Sequence, residues 1–436
     1  MNKEKLDMFC YQCSQTPKGG CTKVGVCGKN PDLASLQDTI MIGLKGVAAY
    51  AFHARELGYT DDEVDGITHE ALFSTLTNTN FNMGDTVNMA LKVGTATVKA
   101  MDLLDKAHTD SLGVPEPVTI SQDKVEGKSI LVTGHDLYAL EELLKQSDGK
   151  GVNVYTHSEM LPAHGYPELK KYKHLKGNVG GSWVKQRKLF EEFPGAVLGT
   201  TNCVLPVRES NTYGDRFFTY GIAGLEGVQK IENNDFTAVI EKALSLPDAN
   251  LESVKTLTTG FHHENVLPLA GKIVEAVKAG KIKRFFVIAG CDTPLKSHDY
   301  YRDLALAVPK DCVILTTSCG KFRFNDIDFG DIDGIPRFID LGQCNNSGSA
   351  VKIALALAEA FDCGVNDLPL SIVLSWFEQK AIAILLGLFS LGVKNVYVGP
   401  KAPEFLTGNV VGVLQENFNL QLISGNAEED IKKMLG

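Results

Sequence analysis

The chain has no run of about 18 consecutive apolar residues, the length a membrane-spanning helix needs. No apolar stretch follows the opening Met-Asn-Lys-Glu-Lys-Leu-Asp, so no secretory leader is expected and the cytoplasm is the expected location. Lysine and arginine are never massed in a run, and the net charge is −10. That argues against nucleic acid as a main partner, as does the lack of any helix-turn-helix or basic region. Ten cysteines in 436 residues are too few for a disulfide scaffold. What remains is an ordinary globular composition, 44% hydrophobic and 22% charged, long enough for roughly two to four domains with ample core.

In a cytosolic chain, clustered cysteines point to metal or redox chemistry. Cys10, Cys13, Cys21 and Cys27 are spaced C-x2-C-x7-C-x5-C, with Gly19, Gly20, Gly25 and Gly28 among and beside them. Zinc prefers paired C-x2-C knuckles, and the second pair here is spread out. A cubane iron–sulfur cluster needs four thiolates on a loop able to wrap around it, which favours iron–sulfur over zinc or a purely structural role. A low-oxygen setting would suit it.

Residues 33–107 carry helical periodicity: Leu36 to Leu57, a helix capped near Asp61 and Asp62 and running to about Leu76, and Met83 to Ala107. His53 and His69 within them read as ordinary histidines. Residues 108–128, with Leu-Gly-Val-Pro-Glu-Pro, read as a linker. From Ser129 onward strands and helices alternate, with strands expected at 129–133, 152–155, 285–289, 312–316, 337–341, 394–398 and 420–423. Arg216 to Gly221 is a further candidate strand. Helices are expected at 137–145, 235–246 and 269–279, and a long apolar one from Trp376 to Leu391. The reading is a multidomain α + α/β fold: loop and helical bundle over 1–112, then two Rossmann-like α/β domains over 113–261 and 262–436.

Four apolar runs end in cysteine: Ala196 to Cys203, Arg284 to Cys291, Val313 to Cys319 and Phe338 to Cys344. Open α/β sheets put their chemistry beyond the carboxyl ends of their strands, so these thiols are expected to converge on one soft metal centre. His135 and Glu159 also follow strand ends and are candidate ligands, with His157 and His164 as nearby competitors. His262-His263 reads as an exposed loop near a domain seam rather than a metal site. Glu378 and Lys380 open a helix, where the bland reading is a first-turn glutamate favoured by the dipole and a solvated lysine. Cys312 and Cys363 read as small packed residues. Thiolates combined with imidazole and carboxylate imply a cluster of mixed soft and hard ligation, some of whose irons can take a small substrate.

At these residues the chain resembles the hybrid-cluster protein family, also called prismane proteins or hydroxylamine reductases. The likeness rests on Met8-Phe-Cys-Tyr-Gln-Cys13, Val26-Cys-Gly-Lys29, Thr133-Gly-His-Asp-Leu137, Tyr155-Thr-His-Ser-Glu-Met-Leu-Pro-Ala-His164, Thr200-Thr-Asn-Cys203, Gly290-Cys-Asp292, Ser318-Cys-Gly-Lys321, Gly342-Gln-Cys-Asn345 and Trp376-Phe-Glu-Gln-Lys380, in this order along nearly the whole chain. It implies a 4Fe–4S cluster on Cys10, Cys13, Cys21 and Cys27. It also implies a hybrid 4Fe–2O–2S cluster at a domain interface, on His135, Glu159, Cys203, Cys291 (as a persulfide), Cys319, Cys344 and Glu378, with Lys380 close by. Only about 75 residues separate Asn30 from the linker, so the chain is similar to the shortened class lacking one N-terminal bundle, and a second subunit is expected over the exposed flank.

The resemblance implies reduction of hydroxylamine to ammonia and water, and of nitric oxide to nitrous oxide, with electrons relayed by the N-terminal cluster. Glu159, Glu378, Lys380 and Cys291 are the implied catalytic residues. The implied electron donor is a ferredoxin, a rubredoxin or an NADH-dependent reductase. Two alternatives stay open: a redox or nitric oxide sensor or protein nitrosylase using the same cluster, and a carbon monoxide dehydrogenase-like enzyme. The last would need nickel and a more thiolate-rich site.

Overall fold

The computed structural model describes residues 6–121, 126–249, 256–375 and 378–436. The chain forms two compact units, one of Met1–Ala107 with Cys363–Gly436, the other His108–Asp362. The division falls elsewhere than the expected limit at 261/262, because the C-terminal segment groups with the N-terminal helices rather than with the strands that precede it in sequence.

The unit His108–Asp362 is built on parallel strands. The central ones carry short apolar runs, Ile-Leu-Val at 130–132, Ala-Val-Leu at 196–198 and Phe-Phe at 217–218, as strands buried on both faces require. The strands are β1 (Val118–Ser121), β2 (Lys128–Thr133), β3 (Val152–His157), β4 (Leu175–Asn178), β5 (Ala196–Gly199), β6 (Phe217–Tyr220), β7 (Gln229–Ile231) and β8 (Thr256–Thr259). β2 to β7 form an all-parallel sheet in the order β4-β3-β2-β5-β6-β7. The order reverses between β2 and β5, which opens a crevice at their carboxyl ends. Fully buried Ile130, Val132, Val154, Ala196 and Leu198 from the strands pack with Leu140, Leu143 and Val239 from helices Leu137–Ser147 and Thr237–Ser245.

Further along the same unit run β9 (Arg284–Gly290), β10 (Cys312–Thr316), the short hairpin β11 (Asp331–Ile332) and β12 (Ile335–Pro336), and β13 (Phe338–Asp340). β10 is paired in parallel with both β9 and β13. β1 and β8 pair antiparallel. The expected linker over 108–128 therefore contains a strand, β1, whose Val-Thr-Ile-Ser is too short to show a period; residues 122–125 of that stretch lie outside the described residues. His262-His263 is not an exposed loop. His262 is fully buried and caps the short helix His263–Val266, accepting from Glu264 N through Nδ1 at 3.3 Å.

In the other unit lie α1 (Pro31–Glu56), α2 (Asp62–Ser74) and α3 (Met83–Leu112) as far as Ala107: α1 starts ahead of the expected Leu36, with Asn30 accepting from Leu33 N at 2.8 Å, and Asp61, at the expected cap, accepts from Glu63 N and Val64 N. The expected helix from Trp376 is observed over Gln379–Ser390, and Trp376 and Phe377 lie outside the described residues. This helix packs on α1 and α3 through glycines. A Cβ on Gly46 would stand 2.5 Å from Ala383 Cβ, and one on Gly94 would stand 2.1 Å from the Leu386 carbonyl oxygen. The unit also holds the parallel strands β14 (Leu370–Ser375), β15 (Val396–Gly399) and β16 (Gln421–Leu422). β14 was not expected, although Leu-Ser-Ile-Val-Leu-Ser is a short buried strand that periodicity cannot separate from its surroundings.

Candidate metal centre

Six side chains of one unit stand just past the carboxyl ends of six parallel strands. His135 follows β2, Glu159 follows β3, Cys203 follows β5, Cys291 follows β9, Cys319 follows β10 and Cys344 follows β13. The backbone at each exit takes a positive φ. It is 119° at Gly134, 55° at Ser158, 66° at Cys203 itself, 112° at Gly290, 70° at Ser318 and 114° at Gly342. Serine and cysteine in that region carry a real energetic cost, and such strain concentrates at functional sites. Each left-handed residue turns the chain off its strand at the position where a donor must face inward.

The donors of His135, Glu159 and Cys344 come within 4.8 Å of one another, and all three residues are buried. Their surroundings hold them there. His135 shares a hydrogen bond with Thr201 Oγ1 through Nδ1 at 2.8 Å, which turns Nε2 to the other side of the ring. The Cys344 amide donates to Glu159 Oε2 at 2.9 Å, and Gln343 Nε2 donates to the carbonyls of Glu159 (2.7 Å) and His135 (3.1 Å). At the switch point, Thr200 ties β5 to β2 by donating to the Thr133 carbonyl through both N and Oγ1. Ser158 Oγ lies 3.4 Å from Cys319 Sγ, and Asn202 Nδ2 donates to Cys203 Sγ at 3.2 Å. Gln186 clamps the Cys203 loop, donating to the Cys203 carbonyl and accepting from Leu205 N.

Electrostatics decide what this set can hold. Burial, followed by the charges of Glu159, Cys203 and Cys291, pushes the Cys319 thiol well above its ordinary value. Several buried anions facing one another cannot all ionise without a cation among them. Bound metal supplies that charge, and ligating thiols deprotonate when it binds. The donors are sulfur, imidazole nitrogen and carboxylate oxygen, and they fit an iron–sulfur group of mixed ligation.

Beneath them lies an ion pair that sequence reasoning missed. Lys321, two residues past Cys319, donates to Asp340 Oδ1 at 2.9 Å and to the Gly342 carbonyl at 2.8 Å, and both charged side chains are 0% exposed. The Ser-Cys-Gly-Lys321 stretch is visible in the sequence, but nothing local reveals its partner at the end of β13.

Two other residues singled out from sequence belong to the other unit. Glu378 is the N-cap of helix Gln379–Ser390, not a first-turn residue, and its Oε1 accepts from Lys380 N at 3.3 Å. Lys380 is not solvated: it is buried, with Nζ 5.8 Å from the centre of the Tyr50 ring. The N-terminal loop of the same unit folds back on itself. Cys10 and Cys21 form a two-residue antiparallel bridge, Cys10 N to Cys21 O at 3.1 Å and the reverse at 2.7 Å. Gly19, Gly20 and Gly28 take positive φ. Cys10 and Cys21 are buried and Cys13 and Cys27 half-buried, and none of the four is in a disulfide. A hydrogen bond from Thr16 lowers the pKa of Cys13.

The competing histidines are core residues. His157 and His164 are engaged by Thr133 and Thr156 at 2.8 and 2.9 Å, and burial lowers both to about 4. Cys312 is fully buried, and burial, then Asp311, pushes its thiol up to about 11, which suits an inert packed residue. Cys363 is half-buried.

A family model described as the Prismane/CO dehydrogenase family matches residues 8–89 and 57–432. A protein of Moorella thermoacetica named hydroxylamine reductase is 61% identical, over 98% of this chain and 100% of the relative. One of Geobacter metallireducens with the same name is 41% identical over 99% of this chain and 100% of its own. That alignment spans 551 positions against 436 residues here, so the relative carries segments this chain lacks. Among solved structures, a nickel-free carbon monoxide dehydrogenase from Thermococcus sp. AM4 superposes with a TM-score of 0.79 at 16% identity, covering 99% of this chain and 90% of its own. At that identity the likeness is one of fold. With its motifs matched almost from end to end, the chain belongs to the Prismane/CO dehydrogenase family.

Proposed function

We propose that this protein is an iron–sulfur oxidoreductase that reduces hydroxylamine to ammonia and water, taking two electrons and two protons and breaking the N–O bond. The observation that carries this reading is that His135, Glu159, Cys203, Cys291, Cys319 and Cys344 each follow a strand end of one unit, with the donors of His135, Glu159 and Cys344 within 4.8 Å of one another. The name of the 61%-identical relative supplies the substrate class. In this proposal a hybrid 4Fe–2O–2S cluster on these six residues supplies electrons and an iron site for the substrate. Glu378 joins the ligands, and Lys380 the catalytic residues, on the resemblance of Trp376-Phe-Glu-Gln-Lys380.

The chain's own work is to hold donors and move protons. Thr201 fixes the ring of His135, and the Cys344 amide fixes the carboxylate of Glu159. Glu159, Glu378 and Lys380 are the groups assigned to protonate the leaving oxygen and the product nitrogen, a task that requires hydrogen-bond reach. Cys291, the assigned persulfide, is half-buried. Reduction of two nitric oxide molecules to nitrous oxide and water uses the same two electrons and two protons and is the second activity proposed.

In this reading Cys10, Cys13, Cys21 and Cys27 would hold a 4Fe–4S cluster, which would supply one-electron transfer at that loop. Phe9, Tyr11, Val24 and Val26 are exposed on that loop together with Lys18 and Lys23, a surface suited to a small acidic donor protein such as a ferredoxin. Leu72, Phe73, Leu76 and Phe81 are exposed around the end of α2, and we assign that surface to a second copy of the chain. No helix among the described residues is long and apolar enough to cross a membrane; a cytoplasmic location belongs to the proposal.

The test is anaerobic purification followed by metal analysis and turnover. About eight irons and no nickel are expected, four for each cluster. Ammonia should form from hydroxylamine in step with oxidation of a reduced viologen. Zinc in place of iron, or nickel with carbon monoxide oxidation and no ammonia, would overturn the reading. Glu378→Ala should lower kcat by about 10²–10⁴, the range of a lost general acid; unchanged turnover removes Glu378 from the mechanism.

A further inference from the structure

The Lys321–Asp340 pair is an expensive feature. Both side chains are fully buried, and removing two charges from water costs more than their attraction commonly returns. The pair is not even fully satisfied, since Asp340 Oδ2 is buried without a hydrogen-bond partner among the described residues. A well-packed apolar pair would serve stability at least as well.

Its placement is more telling. Lys321 sits on the turn that begins with Cys319, and Asp340 ends β13, four residues before Cys344. The Gly342 carbonyl accepts from both Lys321 Nζ (2.8 Å) and Ser318 N (3.1 Å), and Asp340 Oδ1 accepts from both Lys321 Nζ and Gly342 N (2.9 Å each). Gly342 and Ser318 are two of the left-handed exits of the site. The pair thus locks two donor-bearing turns to each other. It also buries one positive charge within electrostatic reach of Glu159 and Cys319. The Asp340 carboxylate at 2.9 Å is the counter-charge of that ammonium.

We propose that Lys321 and Asp340 are positioning residues that set the reduction potential of the group held by the six donors: Lys321 raises it by offsetting the anionic ligands, and Asp340 tempers that offset. The proposal rests on the reading of those six donors as iron ligands. The signs follow from Coulomb's law in a poorly screened interior. Removing a cation makes an added electron less welcome, and removing an anion makes it more so.

The experiment is a redox titration of anaerobically purified holoprotein followed by electron paramagnetic resonance, with iron content and far-ultraviolet circular dichroism measured on the same samples. Lys321→Met is expected to shift the midpoint of the six-donor site to more negative potential, and Asp340→Asn, which keeps the shape and an acceptor oxygen, to more positive potential. Lys321→Arg, which keeps the charge, should stay nearer the parent protein than Lys321→Met. Opposed shifts are a signature that a merely structural pair does not produce. Shifts of the same sign, or unchanged potentials with only a lower melting temperature, overturn the proposal. If Lys321→Met does not load iron, Asp340→Asn decides alone: an upward shift supports the proposal and no shift overturns it. A parent protein with only one four-iron signal would sink the underlying ligand reading instead, before any variant is compared.

Discussion

Thr201 has no metal-binding chemistry of its own, yet its hydroxyl meets His135 Nδ1 at 2.8 Å and so sets which ring nitrogen faces the other donors. Partners of this kind typically govern metal affinity by about 10–100-fold when lost. If the six donors and the four-cysteine loop hold iron as proposed, Thr201→Val, which keeps the shape, should reduce iron retention at the six-donor site by about that factor in a chelator challenge, while the loop retains its own. Equal loss from both, or from neither, would remove Thr201 from the site. At this scale the sequence was legible in part. The rule that chemistry lies beyond strand ends picked out Cys203, Cys291, Cys319 and Cys344 and raised His135 and Glu159, because a strand end is a local pattern. Lys321 with Asp340, Thr201 with His135, and Gln343 with Glu159 are matched only by folding. They stand 19, 66 and 184 residues apart. The left-handed turns at Ser158, Ser318 and Cys203 also left no mark, since serine and cysteine carry no preference for that region.

Among elements, the contact of helix Gln379–Ser390 with α1 and α3 depends on missing side chains. Gly94→Ala would set a methyl 2.1 Å from the Leu386 carbonyl oxygen, which is backbone and cannot swing aside. The helices must part, and overpacking of this kind costs about 1–3 kcal/mol. A lower melting temperature is expected for Gly94→Ala, whereas Gly66→Ala on α2, where an added Cβ meets nothing within 4 Å, should raise it slightly or leave it unchanged. Equal melting temperatures for parent and Gly94→Ala would show that the packing is looser than described. Helices here were readable from period over long stretches, and at Asp61 from the cap as well, whereas the Asn30 cap set the start of α1 five residues ahead of the expected Leu36. β14 was not, because a six-residue strand with four apolar residues, ahead of an apolar helix, carries no clear period of its own. The first turn of that helix misled for the same reason: Glu378 has the chemistry of a dipole-stabilising residue, and only the backbone shows it to be the cap.

Taken whole, the molecule carries buried histidines whose neutrality makes its stability depend on pH. Burial lowers His164 and His298 to about 4 from an ordinary 6.5. Between those values the unfolded chain binds more protons than the folded one, so stability rises with pH there. The contribution is complete above about pH 6.5 and is lost as pH falls toward 4. At roughly 1.4 kcal/mol per unit it amounts to about 3 kcal/mol for each fully desolvated ring at most. The melting temperature should hold between pH 7 and 8 and fall steadily from pH 6.5 to 4.5. His164→Gln should flatten part of that fall; an unaltered profile would assign the acid sensitivity elsewhere.

One donor per strand end has a consequence for how the protein is made. The four cysteines of the N-terminal loop lie within eighteen residues of chain, so that loop is complete soon after it leaves the ribosome. The six-donor set reaches from His135 to Cys344 and exists only once β2, β3, β5, β9, β10 and β13 have all paired, contacts of long sequence separation that form late. Biogenesis therefore has a built-in order. Under the proposed ligand assignment, the local loop can be charged during synthesis, and the second site only after the unit His108–Asp362 has folded.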